Sequence, residues 1–162
     1  MWRAKAVIAV AVGVAFGCTS QSPSQVRAGD VYDAAVRWLA SEHSDDPDPL
    51  PMFVEPRGEG TAIKLEVQAD LVDQVSDVAE LRFIDAREEA IVTEDDHDVV
   101  RDDGILIRLG PVIEDGDRVR LEVDRWIGEE RFTTLVFTLR REGDVWKPLA
   151  APVVSGVIEV PE

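Results

Sequence analysis

Chemistry in a protein chain begins with side chains that can attack, carry protons or hold ions, and here few of them stand in workable combinations. Nucleophilic hydrolysis needs a serine or cysteine with a base in reach, commonly on a Gly-x-Ser-x-Gly elbow. No such elbow occurs, and Cys18 is the single cysteine. Phosphate cradling needs a glycine-rich loop ahead of a helix, whereas the glycines here stand one at a time in turn-like contexts. One cysteine and two distant histidines, His43 and His97, cannot supply zinc spacing. Both histidines do sit in acidic runs, with Asp45, Asp46 and Asp48 after the first and Glu94, Asp95, Asp96 and Asp98 around the second. Hard cations favour clustered carboxylates, so weak cation binding is one reading of these runs and solvated polar loops the other; neither has EF-hand spacing. With 33 acidic residues almost any fold brings two carboxylates together, so no glycosidase pair can be argued. The sequence therefore assigns no catalytic residue, no metal and no cofactor, and the expectation is a protein that is not an enzyme.

The remaining candidate is a surface. From Arg118 to Trp126 the residues alternate cleanly: Val119, Leu121 and Val123 face one way, and Arg118, Arg120, Glu122 and Asp124 the other. Strict alternation puts Trp126 with the charged set. Either a bulge near Asp124 turns the ring inward, or the ring is exposed beside the arginines. In the second case Arg118, Arg120, Trp126 and Thr138 form a contact surface of the amphipathic kind favoured at interfaces.

Cys18 has a different use. Arg3 and Lys5 precede an uncharged apolar run from Ala6 to Phe16, eleven residues that rise about 16 Å as a helix, against the roughly 30 Å of a bilayer core. This is the layout of a signal peptide over residues 1–17, removed before folding. The sequence Ala15-Phe16-Gly17-Cys18 resembles the lipobox of bacterial lipoproteins, although family members usually carry Leu where Ala15 stands and a small residue where Phe16 stands. The resemblance implies acylation of Cys18 and a membrane anchor; ordinary signal peptidase cleavage after Gly17 would leave a free thiol instead. Residues 18–29 read as a flexible tether, because Thr19-Ser20-Gln21-Ser22-Pro23-Ser24-Gln25 after the cysteine are polar, small and breaker-rich. The expected location is the cell envelope, facing the periplasm or exterior.

The leader holds two of the 17 basic residues and none of the 33 acidic ones, so the net charge of −16 becomes −18 after cleavage. Such a chain repels polyanions, and no Lys/Arg-rich stripe overrides the field, which excludes nucleic acid as a partner. The partners expected are the membrane, through the lipid, and another envelope protein.

A surface must be held by elements. Val31, Ala35, Trp38 and Leu39 recur at helical spacing, and Asp30 and Asp33 suit a helix start, predicting a helix over 30–42. Pro47, Pro49 and Pro51 end it. Met52–Val54 reads as a short strand, and Ile63, Leu65 and Val67 alternate as a second. Leu71, Val72, Val75 and Val78 predict a helix over 70–79. Residues 81–84 read as a strand, 85–91 as a brief helix, and 95–103 as a charged loop. From Gly104 onward the pattern is β: 105–109, 118–126, 135–139, 145–147 and 153–160, with turns at Asp115-Gly116 and Gly143-Asp144.

The fold expected is one α+β domain over 30–160, an N-terminal helix packed on a mainly antiparallel sheet that ends in a C-terminal β-meander. A helix followed by a meander that ends in Gly143-Asp144-Val145-Trp146-Lys147 resembles small secreted domains with NTF2-like or cystatin-like curved sheets, and the Val31-Tyr32 helix reaching Arg37, the Arg108-Leu109-Gly110-Pro111 strand and that same ending resemble exported bacterial proteins. That resemblance carries no catalytic residue. It leaves three readings of function: a non-catalytic envelope-anchored interaction or binding module, a small-molecule binder or enzyme using an NTF2-like pocket, and weak cation binding by the acidic loops. The anchor is checked by mass spectrometry of the protein taken from its host's membranes. An N-terminal peptide starting at a diacylated or triacylated Cys18 is expected, and one starting at Met1 would remove the export argument.

Overall fold

The computed structural model describes residues 27–43, 48–58, 62–94, 96–128 and 131–159, with side chains omitted at 131–132 and 157–159. The leader, Cys18 and all but the end of the tether lie outside the described residues, as do Asp45, Asp46 and Asp95. No described helix is long and apolar enough to cross a membrane.

The first helix, α1 (Ala28–His43), buries Val31, Tyr32, Ala35, Val36 and Leu39 along one stripe, as its periodicity predicts. Its chain then enters β1 (Leu50–Pro56), crosses through α2 (Leu65–Val75), and returns in β2 (Ala79–Phe83), which lies parallel to β1. A short excursion follows, made of a 3-10 turn at Arg87–Glu89, the hairpin β3 (Ile91–Glu94) and β4 (His97–Val100), and a second 3-10 turn at Arg101–Asp103. The chain rejoins the main sheet as β5 (Ile105–Leu109), parallel to the other side of β1. From there it runs β6 (Ile113–Asp115), β7 (Arg118–Trp126), β8 (Arg131–Glu142), β9 (Val145–Pro148) and β10 (Val153–Glu159), all antiparallel to their neighbours. The spatial order is β10-β8-β7-β5-β1-β2. β6 continues the line of β5 along β7, and β9 the line of β10 along β8, so Gly110-Pro111 and the Pro152 region each interrupt one long edge. The architecture is α+β, with the expected helix on the sheet and the expected strand series at the C-terminus.

One face of the sheet is the main core. Met52, Val54, Ile105, Ile107, Leu121, Phe137 and Leu139 point at the helices and are fully buried with Val31, Val36 and Leu39. The Trp38 ring stands edge-on to Phe137, with centroids 5.4 Å apart and planes at 81°. Tyr32 reaches across this layer to donate a hydrogen bond to the Gly110 carbonyl at 3.0 Å, and burial raises its pKa above the ordinary tyrosine value. Arg37 ties the layer's rim, donating to Asp33 one helical turn away and to Asp77 beyond α2.

Four expectations fail, each for a local reason. Residues 63–67 do not form a strand: Leu65 opens α2 and is 81% exposed, because Val67, Leu71 and Val75 recur every four residues and bury one helical face more fully than alternation would. Gln68 closes the first turn, its amide bonding the Lys64 carbonyl and its side chain the Ile63 carbonyl. The second helix accordingly runs over 65–75 and not 70–79. The helix expected at 85–91 shrinks to a 3-10 turn held by Glu89, whose carboxylate accepts from the amides of Asp85 and Ala86. The charged loop expected at 95–103 holds the second strand of a hairpin, His97–Val100, followed by the 3-10 turn Arg101–Asp103. Val92 registers with Val99 and Ile91 with Val100, and Asp96 takes the positive φ of 65° that its tight turn demands. Truncating Phe137 to alanine should cost about 3–5 kcal/mol, since the site lies between two rigid layers. Urea unfolding of the variant should show that loss in midpoint with an unchanged slope.

Candidate functional site

The opposite, outer face of the sheet is graded from dry to wet along β7. Side chains alternate without interruption from Arg118 to Trp126, because β7 keeps one register with β8 from Arg118↔Arg140 to Arg125↔Thr133 and one with β5 from Leu106↔Trp126 to Leu109↔Val123. There is no bulge near Asp124. Trp126 is nevertheless only 3% exposed, because the β3–β4 excursion folds over that end of the face. The ring lies in a second, smaller core with Phe53, Ile84, Ala90, Val100 and Leu106, and Ile91 packs against it. Burial of Trp126 is thus achieved by a cover and not by a bulge. The exposed alternative, a surface uniting Trp126 with Arg118 and Arg120, is not what the structure holds: Trp126 stands about 20 Å along the strand from Arg120.

The other three residues of the expected surface do come together. Arg120 registers directly opposite Thr138, and Arg118 is two residues along on the same face, opposite Arg140. All are exposed, the arginine side chains by about half. Ile113 of β6, paired with Arg120, adds an exposed apolar side chain beside them.

Between the open end and the covered end lies an ion network that sequence reasoning missed. The Asp124 carboxylate is entirely buried. Thr134, its cross-strand neighbour, donates to Oδ1 at 2.6 Å, while Arg57 Nε at 2.8 Å and an Arg108 guanidinium nitrogen at 2.9 Å both reach Oδ2. Arg57 also pairs with Glu122, and Glu122 in turn holds Arg120 at 2.7 Å. The chain of contacts thus runs from Arg108 through Asp124, Arg57 and Glu122 to Arg120. Burial works against the charge on Arg57, but its hydrogen bonds to Glu122 and Asp124 prevail and leave its pKa above the ordinary arginine value. Gly110 makes room for this: a Cβ there would lie 2.8 Å from the Glu122 carbonyl and 3.6 Å from Arg57 Cδ. No local signal marks Asp124, since it occupies a polar position of an alternating strand like Arg120 or Glu122. The one available hint is Gly110, since a glycine within a strand pattern marks a bulge or a close approach of another backbone.

Two other readings meet the structure here. The space between α1 and the sheet, where an NTF2-like pocket would lie, is filled by Trp38, Leu39, Leu121 and Phe137. A cavity of about 250 Å³ does open at the base of the excursion, lined by Glu55, Ala86, Arg87, Glu88 and Arg108. Two acids, two arginines and one alanine give it little apolar wall, unlike sites that enclose a ligand. Among the described residues no three His, Cys, Asp or Glu side chains gather to hold a metal. His97 is exposed in β4 opposite Glu94, and His43 ends α1.

Replacing Asp124 by alanine strips Arg57 and Arg108, each about one-quarter exposed, of their shared counter-ion. Arg57 keeps Glu122, so the cost falls below the roughly 3–5 kcal/mol of a fully buried pair, at about 2 kcal/mol. Chemical denaturation should show a fall of that size, and a change under 1 kcal/mol would mean the network contributes no net stability. No protein-family model, curated protein or solved structure matches this chain.

Proposed function

We propose that this protein is a non-catalytic binding module of the bacterial cell envelope, exported by residues 1–17, anchored through lipid on Cys18, and engaging another envelope protein through the open outer face of β7 and β8. The single observation that carries the binding reading is the juxtaposition of Arg118, Arg120 and Thr138 on a face whose other half is closed. A sheet in the interior of a domain hides both faces; this one leaves half of one face in water while anchoring it from behind by a packed core. Arg120 is held by Glu122 in contacts that run back through Arg57 to Asp124, so less of its rotamer entropy is lost when a partner docks. Arginine is also a residue over-represented at the energetic centres of interfaces, where it pairs with carboxylates by two hydrogen bonds. The partner's chemistry follows: a protein surface presenting carboxylates around an apolar contact for Ile113.

The leader supports the address, because an eleven-residue apolar run cannot span a bilayer and the lone thiol has no disulfide partner in the chain. The acidic body keeps the anchored domain off anionic lipid headgroups, which leaves the arginine face free for protein.

The proposal is tested by crosslinking in the host envelope followed by purification of the tagged chain, comparing the wild type with Arg120→Glu combined with Thr138→Arg. Recovery of the partner should fall at least tenfold, which corresponds to about 1.4 kcal/mol of binding. Equal recovery, with both proteins melting at the same temperature, would sink the assigned surface.

A further inference from the structure

The margin of the sheet formed by β10 is built unlike the rest of the chain. Charged residues make up 31% of the sequence, yet residues 148–158, from Pro148 to Ile158, include none. The strand pairs with β8 on one side and, among the described residues, with nothing on the other. Its register sets Val153 opposite Val136 on the outer face and Val154 opposite Leu135 on the helix-facing side. Both would be buried if the layers extended that far, but Val153 is 67% and Val154 60% exposed. Leu149, Ala150 and Ala151, which lead into the strand, are exposed as well. β10 therefore overhangs the helices on one face and the excursion on the other, so neither layer buries these two valines.

Unpaired edges are templates for other strands, and natural sheets guard them with lysine, proline or inward charge. The only charge in β10 is Glu159, which registers opposite Arg131 of the same chain. The ladder does shift between Val154 and Gly156, yet the strand resumes for four further residues.

We propose that β10 pairs with β10 of a second copy of this chain, antiparallel about a two-fold axis near Gly156, continuing the sheet from one protomer into the other. Charge selects that occupant. With a net charge of −16, most approaches of two copies set carboxylate against carboxylate, whereas along this margin Glu159, the one acidic residue of β10, registers with Arg131 of its own chain and with Val153 of the other copy. The strand is also its own complement. A two-fold near Gly156 places small Ser155 and Gly156 at the crossing, where an added Cβ would meet nothing within 4 Å, and sets the valine end of each strand along the Val157-Ile158 end of the other. An isologous contact of this kind closes on itself and stops at two. It lies on a different margin from the arginine face and stands whether or not that face binds anything.

The test uses the full chain in membranes with a photo-crosslinking benzoylphenylalanine at Ser155. Irradiation should give a product of twice the chain's mass, reduced at least tenfold by Val154→Lys and unaffected by Arg120→Glu. A product of any other mass, no product, or a doubled product insensitive to Val154→Lys overturns the proposal. Sedimentation of the purified full-length chain gives a second measure that does not depend on the probe. The wild type should be a dimer and Val154→Lys a monomer of unchanged melting temperature; a monomeric wild type overturns the pairing.

Discussion

A fully buried carboxylate cannot keep its charge without cations brought to it, and Asp124 makes that demand at the centre of the sheet. The answer comes from three directions: Arg57 just past the end of β1, Arg108 from β5 and Thr134 from β8. Each partner sits on a different segment, so the network can close in only one alignment of these strands. A slip of β7 by one residue would turn Asp124 into the apolar layer beneath the helices and set Val123 or Arg125 among the arginines. Apolar packing alone discriminates such slips through side-chain shape, whereas an orphaned buried charge does so through an outright penalty. Gly110 belongs to the same constraint, since the close passage of the chain at Glu122 leaves no room for a Cβ.

The second constraint is that the middle strands are apolar on both faces. Met52, Phe53 and Val54 in β1, and Ile105, Leu106 and Ile107 in β5, are all buried, as expected of parallel strands at the centre of a sheet. The helices can cover only one side. The excursion between β2 and β5 supplies the other cover, and its apolar contribution is modest: Ile84, Ala90, Ile91 and Val100 lie over Phe53, Leu106 and Trp126. The cover is short because it needs to reach no further than Trp126. Beyond it the ion network takes over, and beyond that the face is polar enough to meet water.

These two constraints explain which parts of the structure could be read from the residue order. The first helix and β7 declare themselves because a single cover acts on each over most of its length, so periodicity and burial coincide. The turns at Gly116 and Gly143 are equally plain, because their positive φ values are carried by glycine. α2 is misplaced since Val67 serves two patterns, alternating with Ile63 and Leu65 and spaced by four from Leu71. The excursion is misread for a different reason: its acidic residues line solvent-exposed edges of a two-stranded hairpin, and a local window cannot distinguish those from a loop. Trp126 shows the limit most clearly. The sequence leaves a bulge or an exposed ring as the alternatives, and neither is found, because its burial depends on Ile84, Ala90, Ile91 and Val100, which arrive over it only through the fold. Asp124 is harder still, since nothing in its own neighbourhood separates it from Glu122, and the arginines that hold it stand 67 and 16 positions away.

The same logic governs where function can reside. A sheet face covered along its whole length has no surface to offer, and one left wholly open exposes the apolar residues of its central strands. Here the covered half ends where the ion network begins, so the open half inherits a backbone already fixed by the core beneath and by the paired charges beside it. Arg120 therefore stands at the wet end of a relay whose dry end is Asp124. Its position is set by Glu122, which is set by Arg57, which is set by the buried carboxylate. Were the arginine face to receive the partner proposed for it, an acidic chain would offer that partner one favourable approach and many unfavourable ones, and repulsion elsewhere would confer specificity as effectively as attraction at the site.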